Sequence, residues 1–104
     1  MLYHIDVDID YAALGERRED ILRKEWTRTA ELIERGIAIG EWRKADGQGV
    51  IAVWDCESHE ALNALLRDLP ISPYLKSVRV LALIEHPLWP GGRLRREAKG
   101  EKDA

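Results

Sequence analysis

A carboxylate set among apolar side chains loses water. Its proton affinity then climbs towards the working pH, where it can take and return a proton. Glu25 is the acid of this 104-residue chain that best fits that description. At about 100° per residue, Leu22, Trp26, Thr29, Ala30 and Ile33 fall on one helical stripe. Glu25 lies about 60° from the centre of that stripe, flanked by Ile21, Leu22 and Leu32, and is expected to look inward. On residue pattern alone, the plainer role is a boundary glutamate paired with Arg28 or Thr29. Arg43, directly after Trp42, offers a planar fork to the oxygens of a small anion, and an ion pair with Glu41 or Asp55 is the equal alternative. Tyr74, just after Pro73, either presents its hydroxyl to a pocket or packs its ring over a helix end. His86 stands before Pro87 at a strand end, where a structural hydrogen bond is the common role. His4, Asp6 and Asp8 share a strand face and are suitable metal ligands by type. At i, i+2 and i+4 they spread over roughly 13 Å, too far to close around one ion, so no metal site is expected.

The elements that must carry these residues follow from periodicity. Tyr3, Ile5, Val7 and Ile9 alternate with His4, Asp6, Asp8 and Asp10, which marks a strand with one apolar and one polar face. The three acids are poor strand formers in open water, so the polar face is expected to line a pocket or meet another subunit. A helix is predicted from about residue 16 to 35, stopped by Gly36. Strands are predicted over 37–44 and 49–55, joined by a turn at Asp46-Gly47. Ser58 caps a second helix, in which Leu62, Leu65, Leu66 and Leu69 share a face and which Pro70 ends. A last strand is predicted over 77–85. The order βαββαβ is the α+β, ferredoxin-like arrangement: an antiparallel sheet with two helices on one face. The other face carries Val50, Ala52 and Trp54 or their neighbours, depending on register. Covering it with a second copy gives a dimeric α+β barrel with an isologous interface.

Bulk properties narrow the function further. The length suits one domain, expected over residues 1–90, followed by a polar, solvated tail over 91–104. Net charge is −3 with both signs interspersed, which gives no electrostatic case for nucleic acid or an anionic membrane. The acidic, alternating start is the opposite of a signal peptide, and the apolar run 80–84 is too short to span a bilayer. The single cysteine, Cys56, forms no internal disulfide and reads as a small buried hydrophobe. These features lead us to expect a cytoplasmic protein. There is no Gly-rich phosphate loop, zinc-type Cys/His spacing or nucleophile elbow.

The stretch LPISPYLKSVRVLALIEHP (69–87), the opening Met1-Leu2-Tyr3-His4 and the Trp42-Arg43 pair together resemble the muconolactone Δ-isomerase family. The resemblance covers roughly the first 87 residues, almost without gaps from Ile21 onward. It implies a small bacterial enzyme that moves a carbon–carbon double bond within an unsaturated lactone, without a cofactor, and that assembles as homodimers or larger rings. It also implies that Glu25 is the proton-carrying base, since Glu25 falls on a family glutamate when the helices are aligned through Gly36 and Trp42. Arg43 then holds the anion, and Tyr74, His86, His4, Trp42 and Trp26 become substrate-binding positions. The chain departs from the family at three places. Trp26 stands where a lysine typically follows the glutamate, and Lys24 points about 100° away on the wheel. Val50 and Ile51 replace polar residues, including an asparagine. These changes point to a larger or greasier substrate than muconolactone. Two rivals remain open: a polyketide-pathway cyclase, decarboxylase or cofactor-free oxygenase on the same fold, and a non-catalytic small-molecule binding module.

Overall fold

The computed structural model describes residues 1–89, so the expected tail over 91–104 lies outside the described residues. Strand β1 (Leu2–Ile9) leads through a 3-10 segment (Tyr11–Arg17) into helix α1 (Arg18–Glu34). Strands β2 (Ala38–Arg43) and β3 (Gly49–Asp55) form a hairpin. Helix α2 (His59–Arg67), a 3-10 turn (Ser72–Tyr74) and strand β4 (Leu75–Leu83) complete the described fold. The sheet order is β2-β3-β1-β4, and every neighbouring pair is antiparallel. This is the ferredoxin-like α+β arrangement that the periodicity implies. The last strand begins and ends two residues earlier than its predicted span, because Leu75 already pairs with Ile9 across a register shift.

Local chemistry sets the element ends. Asp10 accepts a hydrogen bond from the Ala13 N–H at 3.2 Å and starts the 3-10 segment. Gly15, at φ 55°, then lets the chain kink into α1. At the far end, Gly36 adopts φ 75°, and the Ile37 and Gly36 N–H groups donate to the carbonyls of Leu32 and Ile33. That is a Schellman closure, which needs the left-handed backbone that glycine supplies most cheaply. Ser58 caps α2 by accepting the Ala61 N–H at 3.1 Å.

The core lies between the sheet and the two helices. Cross-strand partners Tyr3–Trp54, Ile5–Ala52 and Val7–Val50 point towards the helices and meet Leu14, Leu32, Leu62 and Ile71. Each fully buried leucine contributes about 2 to 3 kcal/mol of apolar transfer energy. Register decides which of the two β3 sets the helix-free face carries: Val50, Ala52 and Trp54 belong to the covered face, and their neighbours Ile51 and Val53 lie on the other. The buried stripe of α1 is corrected. It runs through Ile21, Glu25, Arg28 and Leu32, whereas Trp26 is 73% exposed and Ile33 57% exposed. Two charged residues conceal this stripe in the sequence. Arg28 sits in it by reaching out to Glu31 at 3.0 Å and Asp68 at 2.8 Å, which ties α1 to the end of α2.

The helix-free face has its own logic. Lys44 folds back over β3 to bind both Asp6 and Asp8, the latter at 2.8 Å. The Lys44 hydrogen bond holds the Asp8 carboxyl below the usual carboxylate range, and the bonds to Asp6 and then Asp8 raise the lysine. That cation explains how β1 tolerates alternating acids. Cys56 is buried as expected, and burial pushes its thiol up, away from reactivity. Among the described residues, no helix is long and apolar enough to cross a membrane.

The β1–β3 approach yields a prediction. A Cβ at Gly49 would overlap the Val7 carbonyl oxygen, whereas one at Gly15 meets nothing within 4 Å. Gly49→Ala is expected to cost about 3 kcal/mol or more in urea unfolding, and Gly15→Ala about 1 kcal/mol for its backbone angle alone. Equal losses would contradict the register.

Candidate active site

A cleft of about 910 Å³ opens between α1 and the helix-covered face of the sheet. β1 and β3 supply its floor through Ile5, Val7, Val50, Ala52 and Trp54. Polar groups enter from three directions: Glu25 from α1, Glu41 and Arg43 from β2, and Tyr11 and Arg18 from the approach to α1. A mostly apolar concavity with a few convergent polar groups is the usual form of a small-molecule site.

Glu25 sits at the centre of the buried stripe of α1 and is half-buried. Its Oε1 accepts the Ile71 N–H at 3.0 Å, so the backbone beyond α2 holds the carboxylate by one oxygen. Burial pushes the Glu25 carboxyl above the usual carboxylate range, the hydrogen bond from Ile71 opposes the rise, the Glu41 charge adds to it, and Arg28 draws it back in part. The pairing with Arg28 does not form, because that guanidinium is committed to Glu31 and Asp68. Burial also raises the Glu41 carboxyl.

Arg43 has no ion pair among the described residues. Asp55, one of its two expected partners, lies at the other end of β3 and binds the Met1 ammonium at 3.2 Å, whereas Arg43 faces Val50. Its neighbour on the same strand face, Glu41, is also without an ion pair, so the guanidinium fork is open to a ligand. Arg18 stacks over the Tyr11 ring, 5.1 Å from its centroid, a cation–π contact at the cleft edge. Trp54 is 4% exposed, and its Nε1 has no hydrogen-bond partner among the described residues.

The remaining expected positions divide. Trp26 borders the cleft as an exposed rim. Trp42 also borders it, and its register partner Ile51 puts it on the helix-free side of the sheet. There the indole lies over Gly40, where a Cβ would come 2.8 Å from the ring. Tyr74, His86 and His4 lie outside the cleft. Tyr74 packs its ring against the core, and its carbonyl accepts the Asp10 N–H at 2.8 Å. His86 is exposed beyond β4, with Nδ1 accepting the Leu88 N–H at 3.1 Å. His4 points to the helix-free face, beside Asp6. One cleft residue, Tyr11, was invisible to periodicity because it lies in a 3-10 segment before the Gly15 kink, whereas Arg18 opens α1 and shares the face of Leu22 and Glu25 at i+4 and i+7. Glu41 could have been found by parity, since i and i+2 on a strand share a face with Arg43.

Comparison with known proteins agrees with this geometry. The muconolactone delta-isomerase family pattern matches residues 1–88. The chain is 32% identical to muconolactone Delta-isomerase of Acinetobacter baylyi over 89 residues, covering 84% of this chain and 92% of that protein. It is 29% identical to the Cupriavidus pinatubonensis enzyme, covering 84% and 96%. A crystal structure of muconolactone isomerase superimposes with a TM-score of 0.75 at 27% identity, over 84% of this chain and 92% of that one. A 5-chloro-2-hydroxyhydroquinone dehydrochlorinase from Burkholderia phenoliruptrix shares the fold at 13% identity and a TM-score of 0.65, over 83% and 96%. With its fold and nearly its whole described length in common with muconolactone isomerases, the chain belongs to the muconolactone Δ-isomerase family of isomerases.

Proposed function

We propose that this isomerase shifts a C=C double bond within an unsaturated lactone or related carbonyl compound, with Glu25 carrying the proton and no cofactor taking part. The observation that carries this reading is a half-buried carboxylate, held by one oxygen at Ile71 and facing an apolar cleft that also contains an arginine with no ion pair among the described residues. Glu25 removes a proton from the saturated carbon next to the double bond, which is acidic because the carbanion it leaves is conjugated through that double bond to the carbonyl. The C–H electron pair moves into the π system and onto oxygen, giving a dienolate. Return of the proton to the allylic carbon re-forms the carbonyl with the double bond moved. No electrons are gained or lost, so the reaction needs an acid–base group and a partner for the transient negative charge. Arg43 supplies that partner through two parallel N–H donors, either to the developing oxyanion or to a carboxylate on the substrate.

Cleft size and lining bear on the substrate. About 910 Å³ is near the upper end for small-molecule sites, and the floor is almost wholly apolar. Both features favour a conjugated substrate larger than muconolactone, with Trp26 and Trp42 at the rim. They also support, as a second reading, cyclase, decarboxylase or cofactor-free oxygenase chemistry on a polyketide-like ring. In the same proposal a second copy of the chain covers the helix-free face, where Trp42 is 58% exposed and Leu81 62% exposed.

Three outcomes follow. Glu25→Gln is expected to lower kcat by about 10²- to 10⁴-fold with muconolactone while changing KM little, and full turnover would remove Glu25 from the mechanism. The second concerns pH. Because the folded protein holds the Glu25 proton more tightly than the unfolded chain, wild type gains stability as pH falls from neutral through the Glu25 titration. The thermal stability of Glu25→Gln relative to wild type should therefore be highest at neutral and alkaline pH and should decline on acidification; a difference independent of pH would contradict the burial argument. Third, Leu81→Lys is expected to shift sedimentation from dimer or larger towards monomer, and a monomeric wild type would refute the covered face.

A further inference from the structure

The cleft holds a second carboxylate that this mechanism leaves idle. Glu41 faces it from β2, across from Glu25 on α1. Neither acid has a cation within ion-pair distance among the described residues, although Arg18, Arg43 and Lys44 all border the same space. Lys44 is bound to Asp6 and Asp8, and Arg18 lies over Tyr11. β1, β3, α2 and β4 bring no titratable side chain to the cleft. Glu25 therefore meets only a few charged influences: Arg28 on its own helix, the Arg18–Tyr11 pair at the helix start, and Glu41 with Arg43 and Lys44 on and beyond β2.

We propose that Glu41 acts through Glu25, as a second carboxylate that shares the cleft's proton and keeps Glu25 a competent base. This rests on Glu25 being the proton carrier. Glu25 is half-buried and Glu41, on the edge strand β2, is exposed, yet two carboxylates facing one cleft repel when both are ionised, so the second proton leaves less readily than the first. The raised proton affinity of Glu25 owes most to burial, and the Glu41 charge adds to it. Arg43 stands two residues from Glu41 on the same strand face yet does not neutralise it, which leaves the repulsion unquenched in the empty cleft. A ligand seated over both acids strips further water from them and engages Arg43. With both acids ionised, their repulsion makes the first proton bind more tightly than to an isolated glutamate, and that first proton is the one Glu25 takes from the substrate; the pair then holds it between them. Glu41 is thus a positioning residue for a proton rather than for a substrate atom.

The test is a ¹³C NMR titration of the glutamate side-chain carboxyls in the intact chain, beside pH profiles of kcat/KM with muconolactone. In wild type, Glu25 should titrate above the ordinary glutamate range in a two-step curve. In Glu41→Gln, it should titrate in one step at lower pH. The acid limb of the rate profile should move the same way, and the plateau should fall about two- to fivefold as the base weakens. An unchanged Glu25 curve overturns the proposal. So does a changed curve with an unchanged rate profile, because the coupling would then have no bearing on the base. Should Glu41→Gln fail to fold, the Glu41 curve in Glu25→Gln answers the same question, since the coupling is reciprocal. If wild type does not convert muconolactone, the isomerase reading on that substrate fails, and the titration still decides whether the two acids share a proton.

Discussion

The hydrogen bond from the Ile71 N–H to Glu25 holds the site together. A carboxylate at the centre of the inward stripe of a helix is costly unless something satisfies it. A single backbone donor, delivered by the turn beyond α2, satisfies one oxygen and leaves the other for the cleft. The turn that delivers it is fixed in its own right: Leu69 and Ile71 are buried, and the Ser72 N–H donates to the Leu69 carbonyl at 2.9 Å. α1 and the link from α2 to β4 thus meet at the reactive group, and the helix cannot rotate without losing that bond. Arg28, one turn further along the same stripe, fastens α1 to Asp68 from the other side.

The sheet divides its labour between two faces. On the covered face, Tyr3, Ile5, Val7, Val50, Ala52 and Trp54 make a dry floor, and dryness is what raises the proton affinity of the acids above it. On the helix-free face, Lys44 satisfies two aspartates of β1, while Trp42 and Leu81 stay exposed. β2 contributes to both. Glu41 and Arg43 turn to the cleft, whereas Gly40, Trp42 and Lys44 turn away, so alternation along a six-residue strand separates the ionic groups of the site from those of the other surface.

Much of this was legible in the residues. The period of two in β1, the Gly36 stop, the Ser58 cap and the leucine face of α2 are each determined by local chemistry, and each is where the pattern puts it. The inward glutamate was legible too, although for an incomplete reason. Of the apolar stripe drawn through Leu22, Trp26, Thr29, Ala30 and Ile33, Leu22 and Thr29 are half-buried at the cleft and the other three face solvent, and the buried stripe contains Glu25 and Arg28, whose charges disguise it. Hydrophobicity alone misplaces such a stripe, because a long side chain can be buried along its stem and still reach a partner at its tip. Tyr74, His86 and His4 were drawn in by family position, and position along the chain does not fix direction in space: a 3-10 turn, a strand end and the opposite sheet face carry them out of the cleft. Tyr11 could not be seen without coordinates, since a glycine kink separates it from any regular period, whereas Arg18 lay within reach of the α1 period through Leu22 and Glu25.

If one carboxylate in a water-poor cleft ferries the proton, the proton that leaves the substrate should return to it. The most direct measurement is a single turnover in ordinary water with muconolactone deuterated at the carbon that loses its proton, with the product read by mass spectrometry and NMR. A substantial share of the label should appear at the allylic carbon of the product. Complete loss of the label to solvent, at a rate that matches turnover, would mean that the acid exchanges freely with water, and the dry-cleft proton carrier would have to be abandoned.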